Sequence, residues 1–149
     1  MRAVVQRVTR AHVAVDGQTV GSIERGLLVY LGAARGDSKR DVDWMAHKIA
    51  TLRIFPDTDG KMSLDVGEVE GQVLVVSQFT LFGDVRKGRR PSFERAGEPT
   101  AAAADYEAVC GKLRELGLGV ATGRFRAMMA VHCVVDGPVT ILVDSEKSF

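Results

Sequence analysis

Gly26-Leu27-Leu28-Val29-Tyr30-Leu31 is a continuous apolar run opened by a glycine. Such a run suits a central strand covered on both faces, which puts a sheet at the heart of the fold. On its N-terminal side, residues 3 to 15 alternate: Val4, Val8, His12 and Ala14 share one parity, and Val5, Arg7, Val13 and Val15 the other. Their β-branched character predicts one long strand or two bent ones. Asp16-Gly17 suits a type I′ hairpin turn, whose central residues both need positive φ, so Val20 to Ile23 is expected to pair back. On the C-terminal side, Ser38 and Asp41 have the form of a capping box, and Val42, Met45, Ile49 and Leu52 follow at helical spacing. A helix over about 38 to 52 is predicted.

Farther along, Pro56-Asp57-Thr58-Asp59-Gly60 reads as a turn and Lys61 to Glu70 as a polar excursion before a strand from Gln72 to Ser77. Glycines, prolines and weak periodicity make 84 to 98 a long loop, a kind of segment that tends to be functional in compact domains. A second helix should start near Pro99-Thr100 and run to Gly117, with Tyr106, Val109, Leu113 and Leu116 inward. Three strands follow, Val120 to Phe125, Met128 to Val135 and Val139 to Asp144, the last two joined by a turn at Asp136-Gly137-Pro138. The expected architecture is α/β: a mixed, mainly antiparallel sheet with two main helices in the order ββ(β)-α-β-α-βββ, forming one domain over residues 1–149. Two helices cannot cover both faces of a large sheet, so a second subunit is expected to complete the other face.

Apolar residues at 46% and charged residues at 26% belong to a globular chain rather than a disordered one. No apolar run approaches the roughly 20 residues that span a bilayer, and the N-terminus reads as a strand rather than a signal peptide. A cytoplasmic protein without membrane contact is expected. Cys110 and Cys133 lie in apolar-patterned segments without CxxC spacing or histidine neighbours, which predicts buried free thiols and no metal site.

No conventional catalytic constellation assembles from the sequence. His12, His47 and His132 fall in a strand, a helix and a strand, none in a glycine-rich nucleophile turn or at metal-ligand spacing. Ser77 and Thr80 put hydroxyls at a strand end, where they could serve a site or satisfy backbone groups. Arg86, Lys87, Arg89, Arg90 and Arg95 face the single acid Glu94 in a loop that also carries Phe93, a composition that suits either phosphate contact or a solvated loop. Asp136-Gly137-Pro138-Val139-Thr140 places a proline between apolar strands, and the dipeptide alone does not fix its peptide isomer.

Gln6-Arg7-Val8, Ser77-Gln78-Phe79-Thr80-Leu81, the loop from Arg86 to Phe93, and Asp136-Gly137-Pro138-Val139-Thr140 together resemble the D-aminoacyl-tRNA deacylase family, over nearly the full length. The pentapeptide SQFTL is complete. Of the family's NxGPxT, Gly137, Pro138 and Thr140 are present and Val135 replaces the asparagine; Arg126 and Met128 stand where the family more often has a glycine and a small or acidic residue. The resemblance implies a homodimer in which a cis Gly137-Pro138 peptide, braced by Arg7, enters the partner's active site and excludes L-aminoacyl groups. It implies hydrolysis of D-aminoacyl-tRNA, and of glycyl-tRNA mischarged on alanine tRNA, with no cofactor. Ser77, Gln78, Phe79 and Thr80 would form the catalytic segment, backbone N–H groups near Gln78 and Phe79 the oxyanion site, and the terminal 2′-hydroxyl of tRNA the assisting group. Arg86, Lys87, Arg89 and Arg90 would hold tRNA. Two other readings are a protein-catalysed esterase using Thr80 or Ser77 as nucleophile, and a nonenzymatic RNA-binding or replication-associated module.

Overall fold

The structure, a computed structural model, describes residues 1–149. β1 (Arg2–Val15) is one long strand, and Asp16 and Gly17 turn it at φ 50° and 76° into β2 (Gln18–Ile23). β3 (Gly26–Gly32) continues along the same edge of β1, pairing antiparallel from Arg2↔Gly32 to Val8↔Gly26. Leu27, Leu28 and Val29 are fully buried, as the apolar run required.

α1 (Lys39–Thr51) begins where the Asp41 carboxylate accepts hydrogen bonds from the Ser38 N–H at 2.9 Å and the Ser38 hydroxyl at 2.7 Å. The expected turn at Pro56 to Gly60 closes a short hairpin whose strands the sequence did not signal, β4 (Phe55–Pro56) with β5 (Met62–Leu64). β6 (Gln72–Ser77) then runs parallel to β3, a 3-10 turn follows over Phe79–Phe82, and α2 (Pro99–Glu115) leads into β7 (Gly119–Thr122), parallel to β6. β8 (Ala130–Asp144) lies antiparallel along the other edge of β1.

Four expectations are corrected. The turn at Asp136-Gly137-Pro138 is a bulge within the single strand β8: pairing passes from Val8↔Val135 to Gln6↔Thr140, leaving Asp136 to Val139 opposite Arg7. Backbone pairing with β1 on both sides holds the chain straight through the bulge, and the Gly137-Pro138 peptide is cis. Two strand bounds also shrink, because the chain leaves the sheet after Thr122 and rejoins it only at Ala130. Leu116 is 54% exposed, since the helix ends first: the Gly117 N–H bonds to the Arg114 carbonyl and the Leu118 N–H to that of Leu113, and Leu118 packs on the core instead. Cys133 is exposed because it lies on the edge strand; Cys110 is buried, and burial pushes its thiol up to about 11.

α1 and α2 cover one face of the sheet, where Val5, Leu27, Val29, Val75, Met45, Ile49, Val109 and Leu113 pack together. On the opposite face, Val8, Val13, Ile23, Leu28, Leu74 and Val76 form a second cluster, enclosed by the curl of the sheet itself. β2 approaches β7 so closely that a Cβ on Gly21 would fall 2.2 Å from the Thr122 carbonyl oxygen, which makes glycine necessary at this near closure. No helix is long and apolar enough to cross a membrane.

Candidate active site

Val73 to Val76 are buried in the centre of the sheet, so Ser77 emerges at a fixed point on its edge. The chain is held there by the Gln78 N–H, which donates to the Leu31 carbonyl at 2.8 Å. The next turn is pinned from below: Arg2 donates to the Leu81 carbonyl at 3.2 Å and lies 4.9 Å from the centre of the buried Phe82 ring. The Gln78 side-chain amide donates to the Thr80 hydroxyl. Within the turn the Leu81 N–H bonds to the Gln78 carbonyl and the Gly83 N–H to that of Thr80, while the N–H groups of Phe79 and Thr80 stand at its start, ahead of its own carbonyls.

Beside this turn is a pocket of about 570 Å³. Ser77, Gln78 and Phe79 form one wall, Gly97, Pro99 and Ala102 a second, and Phe125 to Met129 a third. Of the 18 lining residues 13 are hydrophobic, so a group entering it loses much of its water. Tyr106 lies at the back, donating to the Val75 carbonyl at 2.8 Å, and burial raises its phenol above the ordinary range. No histidine or carboxylate lines the pocket; Arg126 is its one charged side chain. Phe79, 57% exposed at the mouth, meets the ring of Phe93 edge to face at 5.0 Å, joining the pocket to the basic loop.

The expected site residues therefore divide. Ser77, Gln78 and Phe79 come together in the pocket, and Thr80 sits just outside its lining. Lys87, Arg89 and Arg90 are exposed on the adjoining loop, whereas Arg86 is engaged by the Asp84 carboxylate at 2.9 Å, which holds Asp84 well below the usual carboxylate range. Arg7, Gly137 and Pro138 are not in this chain's pocket. Arg7 is buried opposite the β8 bulge, donating to the Ile54 carbonyl at 2.6 Å, with its Nε 2.9 Å from an Asp136 carboxylate oxygen at an angle unlike that of a hydrogen bond. Sequence reasoning missed the wall formed by Phe125 to Met129, because the apolar Met128 and Met129 read as the start of a strand. Nothing in the sequence signalled Met1, which also lines the pocket, its amine bonded to Asp37 at 2.8 Å and Ser145 at 2.6 Å.

The family description D-Tyr-tRNA(Tyr) deacylase matches residues 4–144. A D-aminoacyl-tRNA deacylase of Anaeromyxobacter dehalogenans is 63% identical over 149 residues, and one of Thermotoga petrophila 58% identical over 149, each match covering 100% of both chains. Among solved structures, one titled c-Myc DNA Unwinding Element Binding Protein superposes with a TM-score of 0.91 at 41% identity, covering 97% of this chain and 98% of that one. Another, a probable eukaryotic D-amino acid tRNA deacylase, gives 0.83 at 20% identity over 95% and 97%, a likeness of fold alone. On the match to residues 4–144 and on full-length relatives this similar, the chain belongs to the D-Tyr-tRNA(Tyr) deacylase family.

Proposed function

We propose that the chain hydrolyses the ester bond of D-aminoacyl-tRNA, releasing free amino acid and tRNA, as the names of its relatives suggest. The observation that carries the reading is an apolar pocket walled by Ser77, Gln78 and Phe79 and joined to the exposed Lys87, Arg89 and Arg90. The aminoacyl end fits the pocket, and the cationic loop suits the RNA that carries it.

With no histidine or carboxylate in the lining, the substrate is the better source of the assisting group. Water adds to the ester carbonyl carbon while the vicinal 2′-hydroxyl of the terminal ribose relays its proton. The carbonyl oxygen then takes negative charge, which the backbone N–H of Phe79, in the pocket wall, stabilises, because the Gln78 N–H is already given to Leu31. The bond to the ribose 3′ oxygen breaks and that oxygen receives the proton. A Thr80 nucleophile is less favoured, as its hydroxyl lies outside the lining and is bonded to Gln78, and Ser77 has no base beside it.

Gly137 and Pro138 are exposed and lie outside this chain's pocket. Their use as a gate therefore requires a homodimer, in which they enter the pocket of a second copy. Main-chain carbonyls there form a wall against an L side chain and leave room for a D one; glycine passes, which makes mischarged glycyl-tRNA a second substrate. A protein acting on tRNA in this way works in the cytoplasm.

Purified protein should release D-tyrosine from D-tyrosyl-tRNA about 100-fold or more faster than L-tyrosine from the L form, the range one excluded side-chain contact supplies. Replacing the terminal 2′-hydroxyl by hydrogen should slow the D reaction roughly 100-fold or more. Equal rates for D and L refute the gate. Tight RNA binding with no ester turnover selects the nonenzymatic module instead.

A further inference from the structure

Arg126 occupies a position that suits it poorly as a backbone residue. The Ala127 N–H bonds to the Arg124 carbonyl at 3.1 Å, closing a turn in which Arg126 takes φ 64°. This left-handed conformation is free to glycine and unfavourable to an arginine. The side chain gains nothing visible in return. It is exposed, and the chain's ion pairs use Arg2, Arg7, Arg35, Arg86, Arg95, Lys39 and Lys112 but not Arg126. It is nonetheless the one charged side chain in the lining of an otherwise mostly apolar pocket. A backbone cost without an internal compensating contact, at the mouth of a site, points to an external partner.

We propose that Arg126 binds the phosphodiester on the 5′ side of the terminal nucleotide of the substrate tRNA. The inference rests on the reading of the pocket as an aminoacyl-ester site. The substrate's α-ammonium is a cation and repels a guanidinium. Two oxyanions remain: that phosphodiester, one ribose away from the scissile ester, and the side-chain carboxylate of an acidic D-amino acid. The amino acid enters the apolar interior, whereas Arg126 is an exposed residue of the lining, open to the RNA that stays outside. A guanidinium matches two phosphate oxygens with paired N–H donors. Lys87, Arg89 and Arg90 are left for phosphates farther up the strand.

The test compares wild type with Arg126→Gly and Arg126→Lys on D-tyrosyl-tRNA, D-tyrosyl-adenosine and D-aspartyl-adenosine, the two nucleosides having no phosphate. For Arg126→Gly, KM for D-tyrosyl-tRNA should rise about tenfold with kcat within about twofold, the loss of one charge-assisted pair. Its KM for either adenosine ester should move less than about twofold, and Arg126→Lys should lie between it and wild type. The glycine variant should melt no lower than wild type, since it relieves the left-handed turn. Unchanged KM with tRNA, an equal rise with D-tyrosyl-adenosine, a loss confined to D-aspartyl-adenosine, or a lower melting temperature each overturns the proposal. If wild type turns over none of the D-esters, the enzymatic reading fails by itself, and the affinity of both proteins for uncharged tRNA still decides Arg126: equal dissociation constants reject it.

Discussion

Arg7 ties together two segments that the sequence keeps far apart, Ile54 and the β8 bulge at Asp136 and Gly137. It is 9% exposed, and a Cβ on Gly137 would fall 3.3 Å from its Nη2. Asp136 keeps 46% of its side chain in solvent, so removal of the guanidinium leaves a carboxylate that can partly rehydrate and a carbonyl that cannot. Arg7→Ala should therefore cost about 2–3 kcal/mol in urea unfolding, less than the loss of a fully buried pair, and Asp136→Asn about 1 kcal/mol. Equal costs for the two would mean that the carbonyl bond contributes nothing. The resemblance implied a bracing arginine here, but not Asp136 and Ile54 as its partners. Pairing across a bulge depends on register, and no local pattern encodes it. Cys133 fails in the same way: an apolar neighbourhood in sequence became an exposed edge in space.

At the level of elements, α1 was the most legible, because its start is a local chemical event. The Ser38 hydroxyl, then its backbone N–H, hold the Asp41 carboxyl at about 2. A carboxyl held below its ordinary value stabilises the fold above that value, near 4, and the contribution fades as pH falls toward 2. Ser38→Ala should then lower stability by about 1 kcal/mol at pH 7. The gap to wild type should narrow between about pH 4 and pH 2, as seen by thermal unfolding, because protonated Asp41 no longer holds the hydroxyl. A gap constant over that range would assign the loss to helix propensity alone. β1 and β2 were also legible, from alternation and the Asp16-Gly17 turn, and β3 from its apolar run. β8 was not: proline reads as a break, yet continuous pairing with β1 on both sides of Asp136 to Val139 overrides that local signal.

Over the whole molecule, the curl that brings β2 against β7 buries Leu28 and Leu74 inside the chain itself, so the second sheet face is less open than two helices implied. What stays open is the β8 side, with Leu142 60% and Val134 42% exposed, together with Gly137 and Pro138. In the proposed homodimer, a second copy that used this side to deliver Pro138 would make each pocket a shared one. Phe79→Ala, which damages the pocket, and Pro138→Trp, which fills the partner's pocket, should each abolish turnover. Subunits of the two mixed and exchanged at equal amounts should regain about one quarter of wild-type activity, since half the dimers carry one intact site. No recovery in exchanged dimers, verified by sedimentation, rejects the shared site. The α/β class, the start of α1, the β1–β2 hairpin, the buried run of β3 and the SQFTL segment were legible from the residues alone, because each depends on neighbours close along the chain. It took the folded chain to show that Phe125 to Met129 wall the pocket, that Gln78 gives its N–H to Leu31, and that Gly137 and Pro138 lie outside the pocket of their own chain. Those facts depend on strand register and on the curl of the sheet, which distant residues set together.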